Sequence, residues 1–391
     1  MDKNKITKTG KSEIAMAVYM VLFTALKPIT TAFSQYSTLI LALSVAIILL
    51  FVLFNSRTLS LKTSFVTIIF FIFGLLLIDV LFRSNSSQGE LLYNFFIYGF
   101  VPLFLLSKIE DIRIFTHSYA LMAVVIGLVY LIDPLNSYKW SSNYMTFGFS
   151  SMLPAVLGCL IMIHMFNKRY FWVFMVLFLF ASLIFANKGV FLSEIIMIAT
   201  SYILFTKNFV KRLAMILALL VATFYIYPIL SAVLDFAIEV ADAFSIDSYA
   251  LDTFSIVLKS LDSNSVYDSR LDIWKIAMEL FSEKSFLGYG SGFFNSNYNG
   301  YTHNIFLDIM VAYGSVGLTA FLILIVSSIN KIRKMQDRNL FVFAVLLLMS
   351  WILPLQVSLY FWSTMSFWLY WGICFFKFPS AEKSDLTDKR N

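Results

Sequence analysis

Residues 61–82 read LKTSFVTIIFFIFGLLLIDVLF, an apolar run with a lysine near its start and one aspartate, Asp79, near its end. A helix that crosses the hydrocarbon core of a bilayer needs roughly 20 mostly apolar residues, and this run has that length. Windows like it recur along the 391-residue chain, which is 60% hydrophobic and only 13% charged, with 42 Phe, 20 Tyr and 7 Trp. A soluble core of this size does not need such a composition, whereas a polytopic membrane protein does. The expected fold class is therefore an all-α polytopic membrane protein.

Twelve spans are predicted, at about 13–33, 36–54, 61–82, 91–107, 114–133, 144–166, 170–186, 189–206, 211–230, 303–328, 340–355 and 358–376. Lys and Arg accumulate in short cytoplasmic loops. With this count, 21 of the 29 fall on one side, 7 on the other, and Lys27 lies within a span. Both termini are then cytoplasmic. The basic start MDKNKITKTGK precedes a long first span without a cleavage pattern and reads as a retained signal anchor. Cys159 and Cys374 both lie in apolar windows, and no disulfide framework is implied.

The resulting organisation is spans 1–9 over residues 1–230, an extracytoplasmic cap loop over 231–302, spans 10–12 over 303–378, and a polar tail over 379–391. Within the cap, AVLDFAIEVADAF has apolar residues at helical spacing and reads as an amphipathic helix on the membrane or the bundle. A second helix, SRLDIWKIAMELFSEK at 269–284, opens with Ser269 followed by Asp272 in a capping-box pattern. The glycines of GYGSGFF end it and read as a turn. The aromatic run YFWSTMSFWLYWGICFFKF reads as lipid-facing and interfacial packing.

Lys27, Asp79, Glu194 and Asp308 fall in the outer half of their spans. Buried charge in a membrane is expensive and faces a cavity or a partner, so the four suggest a polar chamber open to the outside. Lys188, Arg270 and His303 ring it, each at the start of a predicted helix. Helix N-termini disfavour cations, so Lys188 and Arg270 make sense if an anion is held with them. The same field favours a neutral His303 with a ring nitrogen able to accept a proton. The plainer readings stay open: Lys188 as a loop cation at lipid phosphate, Arg270 paired with Asp268 or Asp272, His303 as an interfacial residue ending a loop. There is no Walker motif, no metal-ligand cluster and no HExxH, and basic residues interleave with aromatics only in cytoplasmic loops, so nucleic acid is not an expected partner.

The pattern SRLDIWKIAMELFSEKSFLGYGSGFF … THNIFLDIMVAYGSVGL resembles the signature of the O-antigen ligase and Wzy-type polymerase superfamily. Its elements match Arg270 and Trp274, Gly288 and Gly290, His303 and Asn304, and Gly314 and Gly317. The family's Ser-Arg-Gly triplet at an earlier span is NKG here, so Lys188 replaces an arginine, keeping the charge but not the bidentate fork.

The resemblance implies a GT-C-like glycosyltransferase in the bacterial inner (cytoplasmic) membrane, inverting and metal-independent, with its active site on the extracytoplasmic side and no cofactor. Its partners would be undecaprenyl-pyrophosphate-linked oligosaccharide donor and acceptor, the lipid bilayer and a chain-length regulator. In that reading Arg270 and Lys188 hold the pyrophosphate, His303 is the general base beside Asn304, and Asp308, Glu194 and Asp79 support the site. The favoured activity is polymerisation of O-antigen or capsule repeat units, with ligation to lipid A core as the alternative. From another class, a lipid-linked glycan flippase would need polar groups across both halves of the bundle and repeat symmetry, and neither is visible.

Overall fold

A computed structural model describes residues 10–21, 23, 37–55, 62–83, 85–132, 145, 147–186, 188–224, 226–244, 269–298 and 300–378. Residues 1–9, Lys27-Pro28, the cap residues 245–268 and the tail lie outside the described residues. In chain order the helices are α1 (10–21), α2 (Ser37–Asn55), α3 (Thr63–Phe82), α4 (Gln88–Ser107), α5 (Ile112–Tyr130) and α6 (Phe147–Phe166). They continue as α7 (Phe171–Phe185), α8 (Lys188–Phe205), α9 (Phe209–Phe224), α10 (Ile226–Ala243), α11 (Ser269–Glu283), α12 (Phe293–Tyr298), α13 (Ile305–Arg333), α14 (Arg338–Ile352), α15 (Pro354–Val357) and α16 (Met365–Phe375). No strand occurs among the described residues.

Among the described residues, six segments are long and apolar enough to cross a membrane: α3, α4, α5, α6, α13 and the stretch Arg338–Val357. Four shorter apolar ones are Ala42–Asn55, α7, Gly189–Phe205 and α16. These ten fall on ten of the twelve expected segments. On α2 and α3, Phe54, Phe70 and Phe82 are 84%, 81% and 78% exposed. Apolar surface of that extent is unstable against water and fits lipid. The chain is a polytopic membrane protein, all-helical among the described residues.

Two compact units divide the chain. The first comprises Met1–Met20, Val45–Ser118 and Asp268–Asn391. Here the aromatic run corrects the sequence expectation, because Trp362, Trp368, Tyr370 and Trp371 are buried rather than lipid-facing. Trp351 packs against Phe367 and Tyr370 at centroid distances of 5.1 and 5.4 Å, and the Tyr370 hydroxyl meets Ser328 Oγ at 2.6 Å. Close aromatic packing of this kind supplies cohesion that the hydrophobic effect cannot supply between helices in lipid. Lys62 lies over the Phe378 ring at 4.3 Å and Lys331 over Phe375 at 4.0 Å. The start of α3 and the ends of α13 and α16 thus share one end, as alternating spans require.

The second unit comprises Val21–Ser44 and Tyr119–Tyr267. Its helices α6 and α7 are joined by a tight turn in which Asn167 caps α6 in the left-handed conformation at φ 55°. Asn tolerates that region better than most residues. The amphipathic cap helix expected over residues 232–244 begins earlier, at Ile226. Its apolar positions Leu234, Ala237 and Ala241 pack on Leu183 and Ile184 of α7.

Candidate functional site

The arrangement in the first unit starts from one residue. Gly314, inside α13, has φ 63° and ψ −157°, a region open in practice only to glycine. An unbroken helix would separate Phe306 from Phe321 by roughly 22 Å along its axis, yet their ring centroids are 5.9 Å apart. Residues 305–313 therefore fold back against 315–333 instead of continuing the span. The span expected at 303–328 is thus broken at Gly314.

A break in a spanning helix strands backbone groups that lipid cannot satisfy. The segment from Ser285 to Gly290, which runs into the GYGSG turn, takes them up. Tyr289 N and Gly290 N donate to Val311 O and Ala312 O, each at 2.8 Å, while Ser315 N and Val316 N donate to Ser285 O and Phe286 O at 2.7 and 3.3 Å. The approach is so close that a Cβ on Gly288 would lie 2.6 Å from the Ala312 carbonyl oxygen. The expected turn is thus a clasp that pairs with the broken helix. Its far side is held by α3, where Asp79 Oδ2 accepts from Ser291 N at 2.9 Å and Ser291 Oγ at 2.6 Å. Arg83 Nη1 donates to Leu287 O at 2.9 Å and lies 3.8 Å from Asp79 Oδ1.

Asp79 is only 2% exposed, so truncating it strands the Ser291 donors and removes the carboxylate beside Arg83. Losing the partner of a buried donor costs about 1–3 kcal/mol. The variant Asp79→Ala is expected to lower stability by about that amount, read by thermal unfolding in detergent. Unchanged unfolding would mean that the clasp does not depend on α3.

Helix α11 runs beside the first limb of α13, with Ala277, Leu280, Phe294 and Val311 forming their shared core. Trp274, a motif residue, donates its Nε1 proton to Thr302 O at 3.0 Å. The N-cap of α13 is Asn304, whose Oδ1 accepts from Phe306 N and Leu307 N at 3.0 and 3.3 Å. His303 precedes the helix rather than heading it, and sits at φ 58°. Asn167 and His303 are the two non-glycine residues with positive φ among the described residues. The His303 ring lies 4.3 Å from that of Tyr301, which also stacks on Tyr360 at 5.3 Å and donates its hydroxyl to Ser358 O.

Asp308, expected to support the site, accepts through Oδ1 from Thr302 N at 3.1 Å and Thr302 Oγ1 at 2.8 Å. The Oδ2 atom is buried with no hydrogen-bond partner. Burial and the nearby Asp308 charge push the Tyr301 phenol up to about 12, while the Arg270 charge works in the opposite sense. Tyr301 thus stands among His303, Asp308 and Arg270, and the first unit brings together four of the predicted site residues, Asn304 included. Lys188 and Glu194 belong to the second unit. Lys188 opens α8, its side chain outside the described residues, and Glu194, fully buried, accepts from Ser182 Oγ at 2.9 Å.

Sequence reasoning passed over Tyr301, Thr302, Arg83 and Ser291. The available signal was the position of Tyr301 and Thr302 immediately before His303. No such signal links Ser291 to Asp79, which is 212 positions away. No group of His, Cys, Asp or Glu able to hold a metal occurs among the described residues.

These features define a class: a polytopic helical membrane protein with a histidine, an arginine and a carboxylate gathered at a broken helix. Residues 143–322 match the Wzy_C family model, described as O-antigen ligase, and the match supports the O-antigen ligase and Wzy-type superfamily. It covers a little under half of the chain and includes Lys188 and the whole stretch from Arg270 to Gly317. No curated protein and no solved structure matches the chain.

Proposed function

We propose that the protein is a GT-C-like glycosyltransferase with twelve spans in the bacterial inner membrane, polymerising undecaprenyl-pyrophosphate-linked repeat units into O-antigen or capsular polysaccharide. The observation that carries the reading is the backbone of His303. A non-glycine residue held at positive φ between a stacked tyrosine and a helix cap stores strain, and such strain clusters at functional sites. The family match supports the chemistry.

In the proposed step an acceptor hydroxyl oxygen attacks the anomeric carbon of the donor sugar. The bond from that carbon to pyrophosphate breaks, and the leaving undecaprenyl pyrophosphate keeps the electron pair. His303 accepts the hydroxyl proton as general base. Arg270 stabilises the charge that develops on the leaving group. Attack from the face opposite the leaving group inverts the anomeric centre and needs no metal. Lys188, Glu194 and Asp79 keep the parts drawn from the resemblance as proposals, Asp79 acting through the clasp that it holds.

A guanidinium contributes two parallel hydrogen bonds to a phosphate and a full charge. The variant Arg270→Ala is expected to raise the KM for lipid-linked donor about tenfold or more, the loss of one charged hydrogen bond of about 1.5–3 kcal/mol, with Arg270→Lys intermediate. An unchanged donor response in steady-state extension assays would remove Arg270 from the donor site.

The description of the matched family as O-antigen ligase favours a second reading, transfer to lipid A core, which differs only in the acceptor. Purified protein offered a lipid-linked repeat unit and, separately, a lipid A core acceptor distinguishes the two. Chains of several repeats on the lipid carrier support the polymerase, and single transfers confined to the core acceptor overturn it.

A further inference from the structure

Two turns of the second unit meet at one end of its helices. The first joins α6 to α7 and carries Lys168 and Arg169. The second joins α8 to α9 and carries Lys207, with Lys211 and Arg212 following in the first turn of α9. Trp172 of α7 stacks on Tyr202 of α8 at 4.9 Å, and the His164 ring of α6 lies 4.9 Å from those of Tyr202 and Phe205. We propose that this end of the unit binds the headgroup of an anionic phospholipid, whose acyl chains lie along the exposed apolar faces of α7 and α9.

The charge at this end is one-sided. Five cations gather in and beside the two turns, and the only carboxylate between His164 and Arg212 is Glu194. Glu194 is fully buried, bound to Ser182, and stands roughly 16 Å along α8 from Phe205. The acidic residues Asp235, Glu239 and Asp242 belong to α10, which packs on Leu183 and Ile184 near the opposite end of α7. Lys168, Arg169, Lys207 and Lys211 are all exposed, so their charges are offered outward without a carboxylate in either turn.

The turns that carry them are ordered. Lys168 N donates to Met162 O at 3.0 Å behind the left-handed Asn167. Across the other turn, Asn208 Oδ1 accepts from Lys211 N at 3.2 Å and Arg212 Nη2 donates to Thr206 O at 2.8 Å. A surface held in this way loses less freedom when it binds.

The surroundings select a lipid over a soluble anion. Tyr170 and Phe209, set among the cations, are 60% and 72% exposed. Exposed apolar residues then continue along each helix, Val173 and Val176 on α7 and Leu213 and Leu217 on α9. Aromatic and basic residues at the head of an apolar face mark the depth of the headgroups, and an anionic leaflet attracts each Lys or Arg placed there. A free anion would use the cations alone, whereas an anionic phospholipid uses the cations and both apolar faces. The inference does not rest on the transferase reading.

The test uses photoactivatable phosphatidylglycerol and phosphatidylcholine with identical acyl chains, each at trace level in phosphatidylcholine vesicles holding the full-length protein. Labelled peptides are mapped by mass spectrometry. Phosphatidylglycerol is expected to label residues 165–176 and 205–217 about tenfold more than phosphatidylcholine does. That excess is expected to shrink in about 1 M salt, where charges are screened beyond about 3 Å, and to withstand millimolar inorganic phosphate. Lys168→Gln, Arg169→Gln, Lys207→Gln and Lys211→Gln combined are expected to bring the two lipids to equal labelling in these segments. Should that variant fail to fold, Lys207→Gln with Lys211→Gln is expected to lower the excess at 205–217. Equal labelling of wild type by both lipids, an excess that salt does not reduce, or one retained in the folded variant overturns the proposal. Loss of the excess to inorganic phosphate overturns it too, because the surface would then hold free anions.

Discussion

Replacing His303 is expected to lower chain extension by roughly 10²- to 10⁴-fold, the usual contribution of a positioned general base, while binding of the lipid-linked donor persists. Alanine alone is a poor probe at this position. His303 lies at φ 58°, where a residue other than Gly, Asn or Asp pays about 1–2 kcal/mol, so a loss in His303→Ala mixes chemistry with backbone strain. His303→Asn removes the imidazole and keeps a residue at home in the left-handed region. Both variants are expected to lose extension in a purified assay, with Asn the better folded by thermal unfolding. Full extension by the asparagine variant would end the proposal that His303 takes the acceptor proton.

The largest effect on stability is expected at Gly314. A Cβ added there would collide with the Phe286 carbonyl and lie 2.8 Å from Leu287 N, both backbone groups that cannot swing away. Its dihedral angles add about 1–3 kcal/mol of strain for any side chain. The bend that returns residues 305–313 along 315–333 would have to open, and the four backbone hydrogen bonds to the clasp would be lost with it. Gly314→Ala is expected to destabilise the protein by about 3 kcal/mol or more and to abolish extension, because His303 and Asp308 depend on the folded-back limb. Differential scanning fluorimetry in detergent checks the first effect. A variant as stable as wild type would mean that the first limb can straighten at no cost.

The apolar segments were legible because a bilayer demands length and composition, both local properties. Ten of the twelve expected segments coincide with long or short apolar helices, and α3 begins two residues into the run from 61 to 82. Asn304 was legible as a site neighbour, and its side chain caps α13 through contacts two and three residues away. The motif stretch at Arg270, Trp274 and His303 was legible for a related reason, since its members lie within about fifty residues. Much less of the site's geometry could be read. A helical pattern from 303 to 328 predicts a straight span, and glycine at 314 is compatible with that pattern; only the packing of Phe286 against its backbone makes the bend obligatory.

By itself, then, the sequence determined that this chain is a bundle of membrane helices with a polar segment before its last spans, and which titratable residues lie beside that segment. Hydrophobic length and short-range capping act within a few turns of chain, so they are written where they act. Tertiary structure alone decided that α13 folds back at Gly314, that Asp79 serves Ser291, that Asp308 turns to Thr302, and that the aromatic run is interior. Each depends on a partner chosen by packing. Some of those partners lie only six residues away and others more than 200, and nothing in local composition distinguishes them from the alternatives.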